Sequence, residues 1–385
     1  MQRPSRETSA PPNLASRAQS QAPATPQPAE QVDSEPLPGP DRLKDPASPK
    51  SEAPSVNVPP DPALLARFKA FHARLQAGMS RQDTLAALRD LKQQVHDLPP
   101  EVAAATVIAA LQLGDDAATG LAFIVGDEGV LDESPTLRTA LLDLLGQTEP
   151  EAAIAYSQTV LNDATTPDEY ALALRNLGWL NHEGELSAEL TRHFGAMLDN
   201  TEWRTRPTDG YLEAFDIAVA VGGKEMITDL VSVLRLSNGE STAQSAVNRA
   251  AFIALDRIML REPDTLAAIY MQDPSFMDFA PNHRASLLSR LDPASAPQAD
   301  ALRNYLRAVP ADSPELTYFA RIYPNGNFFE GNRLVSGWET PGIVQIQQRD
   351  ARALEFINQL LADPTYANVA PSLQKISKRL TSFAD

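Results

Sequence analysis

The chemistry open to this 385-residue chain is read first from residues able to cradle phosphate, hold a metal or act as a nucleophile. Gly222-Gly223-Lys224-Glu225 comes nearest to a phosphate-binding loop, whose main-chain amides wrap the phosphates and whose closing Ser or Thr holds magnesium. The position five before Gly223 is Ala218, and Glu225 follows Lys224, so neither the tight turn nor the metal-binding hydroxyl is supplied. No G-x-S-x-G elbow occurs, which removes the strained turn that lifts a nucleophilic serine above a sheet. The histidines are His72, His96, His182, His193 and His283, and none forms an H-E-x-x-H pair. His182 with Glu185 is the nearest approach to a ligand set, and it reads as a polar loop leading into a helix. The absence of cysteine excludes thiolate nucleophiles, disulfides and Cys-ligated metals. Asp115-Asp116 and Asp127-Glu128-Gly129 read as helix-edge acids favoured by the backbone dipole, and no calcium-loop pattern accompanies them. The expectation is no catalytic residue, no cofactor and no metal.

Two segments instead carry the side chains enriched at binding hot spots. In Asn200–Pro207, Trp203 stands beside Arg204 and Arg206 in an otherwise acidic chain. In the second, Tyr323, Asn325, Phe328, Phe329 and Asn332 crowd a turn-rich stretch followed by Trp338. These nine are the candidate partner contacts. Each has a packing alternative: Trp203 wedged between helices with its arginines on local carboxylates, and Phe328 and Phe329 plugging the end of a core.

Helices must position them. From Asp61 onward apolar residues recur at helical spacing, with Leu64, Leu65, Phe68, Phe71, His72 and Leu75 in one stripe and Leu85, Leu88, Leu91, Val95 and Leu98 in the next. Asp61-Pro62 and Ser134-Pro135 signal helix starts, Thr166-Pro167-Asp168-Glu169 reads as a capping box, and Gly78, Gly114, Gly146 and Gly222 read as stops. First helices of successive hairpins are expected near Pro135, Pro167, Asp209 and Thr242, and second helices near 151–161, 185–198, 224–236 and 264–271. Their apolar stripes are wider than one partner covers, so neighbouring hairpins should stack.

On these hairpin lengths, Leu/Ala-rich stripes and repeated caps, residues 61–310 resemble the HEAT or armadillo class of α-solenoids, although no repeat consensus matches. The expected fold is all-α: an irregular stack of antiparallel hairpins over 61–322, with a loop or short hairpin and capping helices over 323–385. That hairpin would set Phe328–Phe329 against Arg333–Val335. A compact multi-helical domain is the alternative. Residues 1–60 hold 14 prolines and no aromatic residue, the composition of a disordered spacer.

With 33 basic against 50 acidic side chains and a formal charge of −17, nucleic acid is not an expected partner. The resulting functional expectation is a non-enzymatic scaffold or adaptor that binds another protein. The alternative is a cell-envelope enzyme or carbohydrate-binding protein with its site in the helical concavity or at 323–338. The spacer composition suits an attachment to a membrane through an upstream signal or anchor, which would place the protein in the periplasm or cell envelope; without one, a cytoplasmic location is expected.

Overall fold

Helices begin where a side chain can take up otherwise free N-terminal amides. Asp61 accepts from the Leu64 amide at 2.6 Å, with Pro62 at the first helical position, and opens α1 (Pro62–Gln76). Ser80 opens α2 (Arg81–His96) by accepting from the Asp83 amide. The computed structural model describes residues 58–163, 166–181, 184–236, 242–326, 331–337 and 343–382. After α3 (Pro100–Gln112) come two short strands, β1 (Ile124–Val125) and β2 (Leu131–Glu133), then α4 (Leu137–Thr148), α5 (Pro150–Asp163) and α6 (Pro167–Trp179). The chain continues through α7 (Ser187–Asp199), α8 (Thr201–Thr205), α9 (Asp209–Glu213), α10 (Asp216–Val221), α11 (Gly223–Arg235) and α12 (Thr242–Arg261). It ends with α13 (Pro263–Gln272), α14 (Pro281–Leu288), α15 (Ala296–Ala308), α16 (Pro314–Ile322), α17 (Ile343–Ala362) and α18 (Ala370–Thr381).

The helices lie in two rows. In the first, α2, α4, α6, the α9–α10 pair, α12, α14, α16 and α18 each touch the next. In the second, α1 packs on α3 and α3 on α5, while α7, α11, α13 and α15 follow one another. Between the rows one apolar core runs the length of the stack, from Phe68 and Phe71 through Leu142, Leu174, Phe215 and Leu255 to Leu302, Phe319 and Ile376. Side-chain links between successive hairpins repeat at a narrow range of offsets. Arg138–Glu169, Asp143–Arg175, Gln158–Glu189, Arg284–Glu315, Asp256–Arg290 and Asp264–Gln298 are separated by 31 to 34 residues, which is one hairpin of chain. Where α9 and α10 break the first row, the offset lengthens, to 41 for Asp216–Arg257.

Four local expectations need correction. The helix signalled by Ser134-Pro135 starts at Leu137, capped by Thr136; the Pro135 carbonyl is held by the Thr119 amide in a bridge to the strand segment. Thr166 does accept from the Glu169 amide, but the Glu169 carboxylate turns to a bidentate bond with Arg138 instead of closing the capping box. Gly146 is no stop: it lies inside α4, where a Cβ would strike the Asn176 side chain. Asp127-Glu128 lie in the turn between β1 and β2, with Glu128 at φ 56°, rather than at a helix edge. By contrast Asp116 does serve a helix start, accepting from the Arg138 amide at 3.0 Å.

The strand pair is fixed by charge. Asp143 is fully buried and accepts from Arg175 at 2.5 Å, from Lys92 at 3.2 Å and from the Leu131 amide at 3.1 Å. Arg175, equally buried, also donates to the Gly129 carbonyl and lies 4.0 Å over the Trp179 ring. Breaking a buried pair strands its partner at about 3–5 kcal/mol, whereas an exposed pair is worth about 1 kcal/mol or less. Asp143→Ala is therefore expected to lower unfolding free energy in urea by about 3–5 kcal/mol. Arg206→Ala, which breaks the exposed pair with Glu202, is expected to change it by less than about 1 kcal/mol; equal effects would contradict this assignment.

Candidate functional site

A non-helical segment, residues 331–337, crosses the first row of helices and is held by side chains that grip its main chain. Asp216, near the start of α10, accepts from the amides of Val335 and Ser336, both at 2.7 Å, and from the Ser336 hydroxyl at 2.5 Å. Arg257 of α12 pairs with Asp216 at 2.7 Å and donates to the carbonyls of Asn332, Ser336 and Gly337. Glu213 of α9 accepts from the Arg333 amide, and the Arg333 guanidinium reaches the Val125 carbonyl of β1. Leu334 is wholly buried. Gly129 and Gly178 leave the room it needs: a Cβ on Gly129 would strike the Leu334 carbonyl, and one on Gly178 would press on Val335. Burial pushes the Asp216 carboxyl up, against the pull of Arg257 and Ser336. Glu213 is likewise pushed up by burial, against the Arg333 amide.

A cleft of about 260 Å³ opens beside this segment, between α9 and α12. Phe123, Leu212 and Ile253 line it along with Asp209, Glu213 and Arg249.

The nine sequence candidates separate in space. Trp203 is half-buried, edge-on to Tyr170 at 5.2 Å, with its amide capped by Asn200. Arg204 leans on the Leu198 carbonyl, and Arg206 pairs with Glu202 on the surface. Tyr323 is buried and stacked on Phe319 at 4.9 Å. Asn325 is buried after α16, joined to Ser286 and to the Ser289 carbonyl, and its own carbonyl accepts from Arg290 and Arg349. Asn332 is buried too, donating to the Ala250 carbonyl. Tyr323, Asn325 and Asn332 thus face inward. Phe328, Phe329 and Trp338 lie outside the described residues, as does His182. Arg333–Val335 form no strand; the Arg333 and Val335 amides go to carboxylates instead.

Sequence reasoning passed over Asp216, Arg257, Asp256 and Arg290. Their signal was present: Phe215-Asp216-Ile217 and Leu255-Asp256 place a lone acid inside an apolar run, where it must find a partner. Compared with known proteins, the chain matches no family model, no curated protein and no solved structure.

A second buried polar cluster adjoins Trp203. His193 Nδ1 meets the Tyr170 hydroxyl at 3.0 Å, and that hydroxyl donates to the His193 carbonyl. Arg192 stands 2.7 Å from Nε2. The ring is therefore neutral, with Nδ1–H donating to Tyr170 and Nε2 accepting from Arg192. Burial, and then the Arg192 charge, push its pKa down to about 4. Because the unfolded chain binds this proton near the ordinary value of about 6.5, stability is full above that value and is lost as pH falls toward 4. NMR titration should place the His193 midpoint near 4, and His193→Gln should flatten the loss of stability between about pH 6.5 and 4; a midpoint at the ordinary value would contradict the buried neutral ring.

Proposed function

We propose that this chain is a non-enzymatic protein-binding scaffold, an α-solenoid of the HEAT or armadillo kind whose first-row face receives non-helical polypeptide. One observation carries the reading: that face already holds a non-helical, bent segment through main-chain groups. Asp216 takes two successive amides, while Arg257 takes carbonyls from Asn332 to Gly337. Main-chain capture supplies affinity with little dependence on sequence, and a pocket such as the one around Leu334 supplies selectivity. Stacked hairpins offer long surfaces of this type. Residues 1–60, read from composition as a spacer, would raise the scaffold's concentration near whatever they join.

The reading is tested with the full chain carrying Leu334→Asp, which weakens the internal segment. A labelled peptide of residues 331–337 should bind this variant saturably and should not bind the unaltered chain. Adding Asp216→Asn should weaken the peptide by about tenfold or more. No binding to a Leu334→Asp chain that keeps its helical circular-dichroism spectrum would refute the reading.

A further inference from the structure

The cleft between α9 and α12 has a composition that the scaffold reading does not require. Its floor is apolar, from Phe123, Leu212, Ala250 and Ile253. One wall carries Asp209 and Glu213, four residues apart on α9, and the α12 wall carries Arg249. Asp209 and Arg249 are both exposed, and neither has a hydrogen bond or ion pair with any described residue. Opposite charges thus line one cleft without meeting. Glu213 accepts from the Arg333 amide through Oε2, and the Asn332 amide also bears on its carboxylate.

We propose that this cleft binds a free α-amino acid with a compact apolar side chain, its ammonium on Asp209 and Glu213, its carboxylate on Arg249 and its side chain on Phe123, Leu212 and Ile253. Several classes of ligand fit worse. A phosphate would meet two carboxylates for one guanidinium. A lysine side chain of a partner would satisfy the acids and leave Arg249 unused. A sugar needs aromatic faces for stacking, and among the described lining residues Phe123 is the one aromatic ring. A metal ion would find two carboxylates opposite a cation, and no group of three metal-ligating side chains occurs among the described residues. A zwitterion uses both signs, and the guanidinium fork matches its carboxylate with two parallel bonds. At about 260 Å³, the cleft falls below the range of roughly 300–1,000 Å³ typical for drug-sized ligands, as a small ligand requires.

The cleft shares Glu213, Gly331 and Asn332 with the held segment, but Asp209 and Arg249 take no part in that capture, so ligand binding that responds to Arg249 and peptide binding that responds to Asp216 can fail independently. Calorimetric titration of the full chain with L-leucine, L-leucinamide and N-acetyl-L-leucine tests it, because each analogue removes one charge. Leucine should bind saturably, and each analogue about tenfold or more weakly. Arg249→Ala removes a side chain without partners, so the fold should be unaffected; leucine should bind this variant about tenfold more weakly, while leucinamide is unchanged. Absence of saturable binding by leucine, valine and phenylalanine would overturn the proposal. So would an amide that binds as tightly as the acid, or an Arg249→Ala chain that binds leucine undiminished.

Discussion

A buried carboxylate facing a guanidinium from the following first-row helix, or from the turn that ends it, is the interaction on which the architecture turns. Asp143–Arg175, Asp216–Arg257 and Asp256–Arg290 recur along the first row, each with a carboxylate almost wholly removed from water. Such pairs add little net stability, because taking both charges out of water offsets most of their attraction. Their effect here is to fix register. An apolar stripe tolerates sliding of one hairpin on the next, but a buried charge tolerates one position only, since any other leaves it unpaired at a cost of several kcal/mol.

The same charges reach beyond the helices. Each pair has hydrogen-bonding capacity left over, and each spends it on non-helical main chain. Asp143 and Arg175 hold the turn between the strands at Leu131 and Gly129, Asp216 and Arg257 hold residues 332–337, and Arg290 holds the Asn325 carbonyl. Asp256 and Arg290 meet through two parallel bonds of 2.9 and 2.7 Å, which leaves the third guanidinium nitrogen for Asn325. Irregular backbone can therefore lie against the stack with several of its amides and carbonyls paired. The glycines complete the fit: at Gly129, with φ 79°, a side chain would collide with the Leu334 carbonyl, and at Gly178 it would crowd Val335.

Much of the helical framework was legible in the sequence because it follows from local rules. The stripes of Leu64, Phe68 and Phe71 and of Leu88, Leu91 and Val95 are buried as their spacing implies, and second helices appear at 150–163, 187–199, 223–235 and 263–272. Single-residue signals failed where a distant partner outbid a local one: Arg138 took the Glu169 carboxylate from its cap, and Asn176 took the space beside Gly146. The strand pair was missed although Leu121, Phe123, Ile124 and Val125 followed by Gly126 carry a short β signal; its stability comes from Asp143 and Lys92, many residues away. The candidate site was the least legible. Turn formers and aromatics marked 323–326 and 331–337 correctly as non-helical, but whether Asn325 and Asn332 face solvent or the helices depends on Arg257 and Arg290, which no local pattern links to them. Asp216 and Asp256 were conspicuous as acids in apolar runs; which arginine each would meet was not.

Hydrogen exchange at the amides of Val335 and Ser336 tests most directly whether buried charge holds the non-helical segment on the helices. Both donate to Asp216, so they should exchange as slowly as the core amides of α10 and α12. In an Asp216→Asn chain they should speed up far more than those helical amides do. Exchange of both at the rate of an open peptide in the unaltered chain would contradict the account.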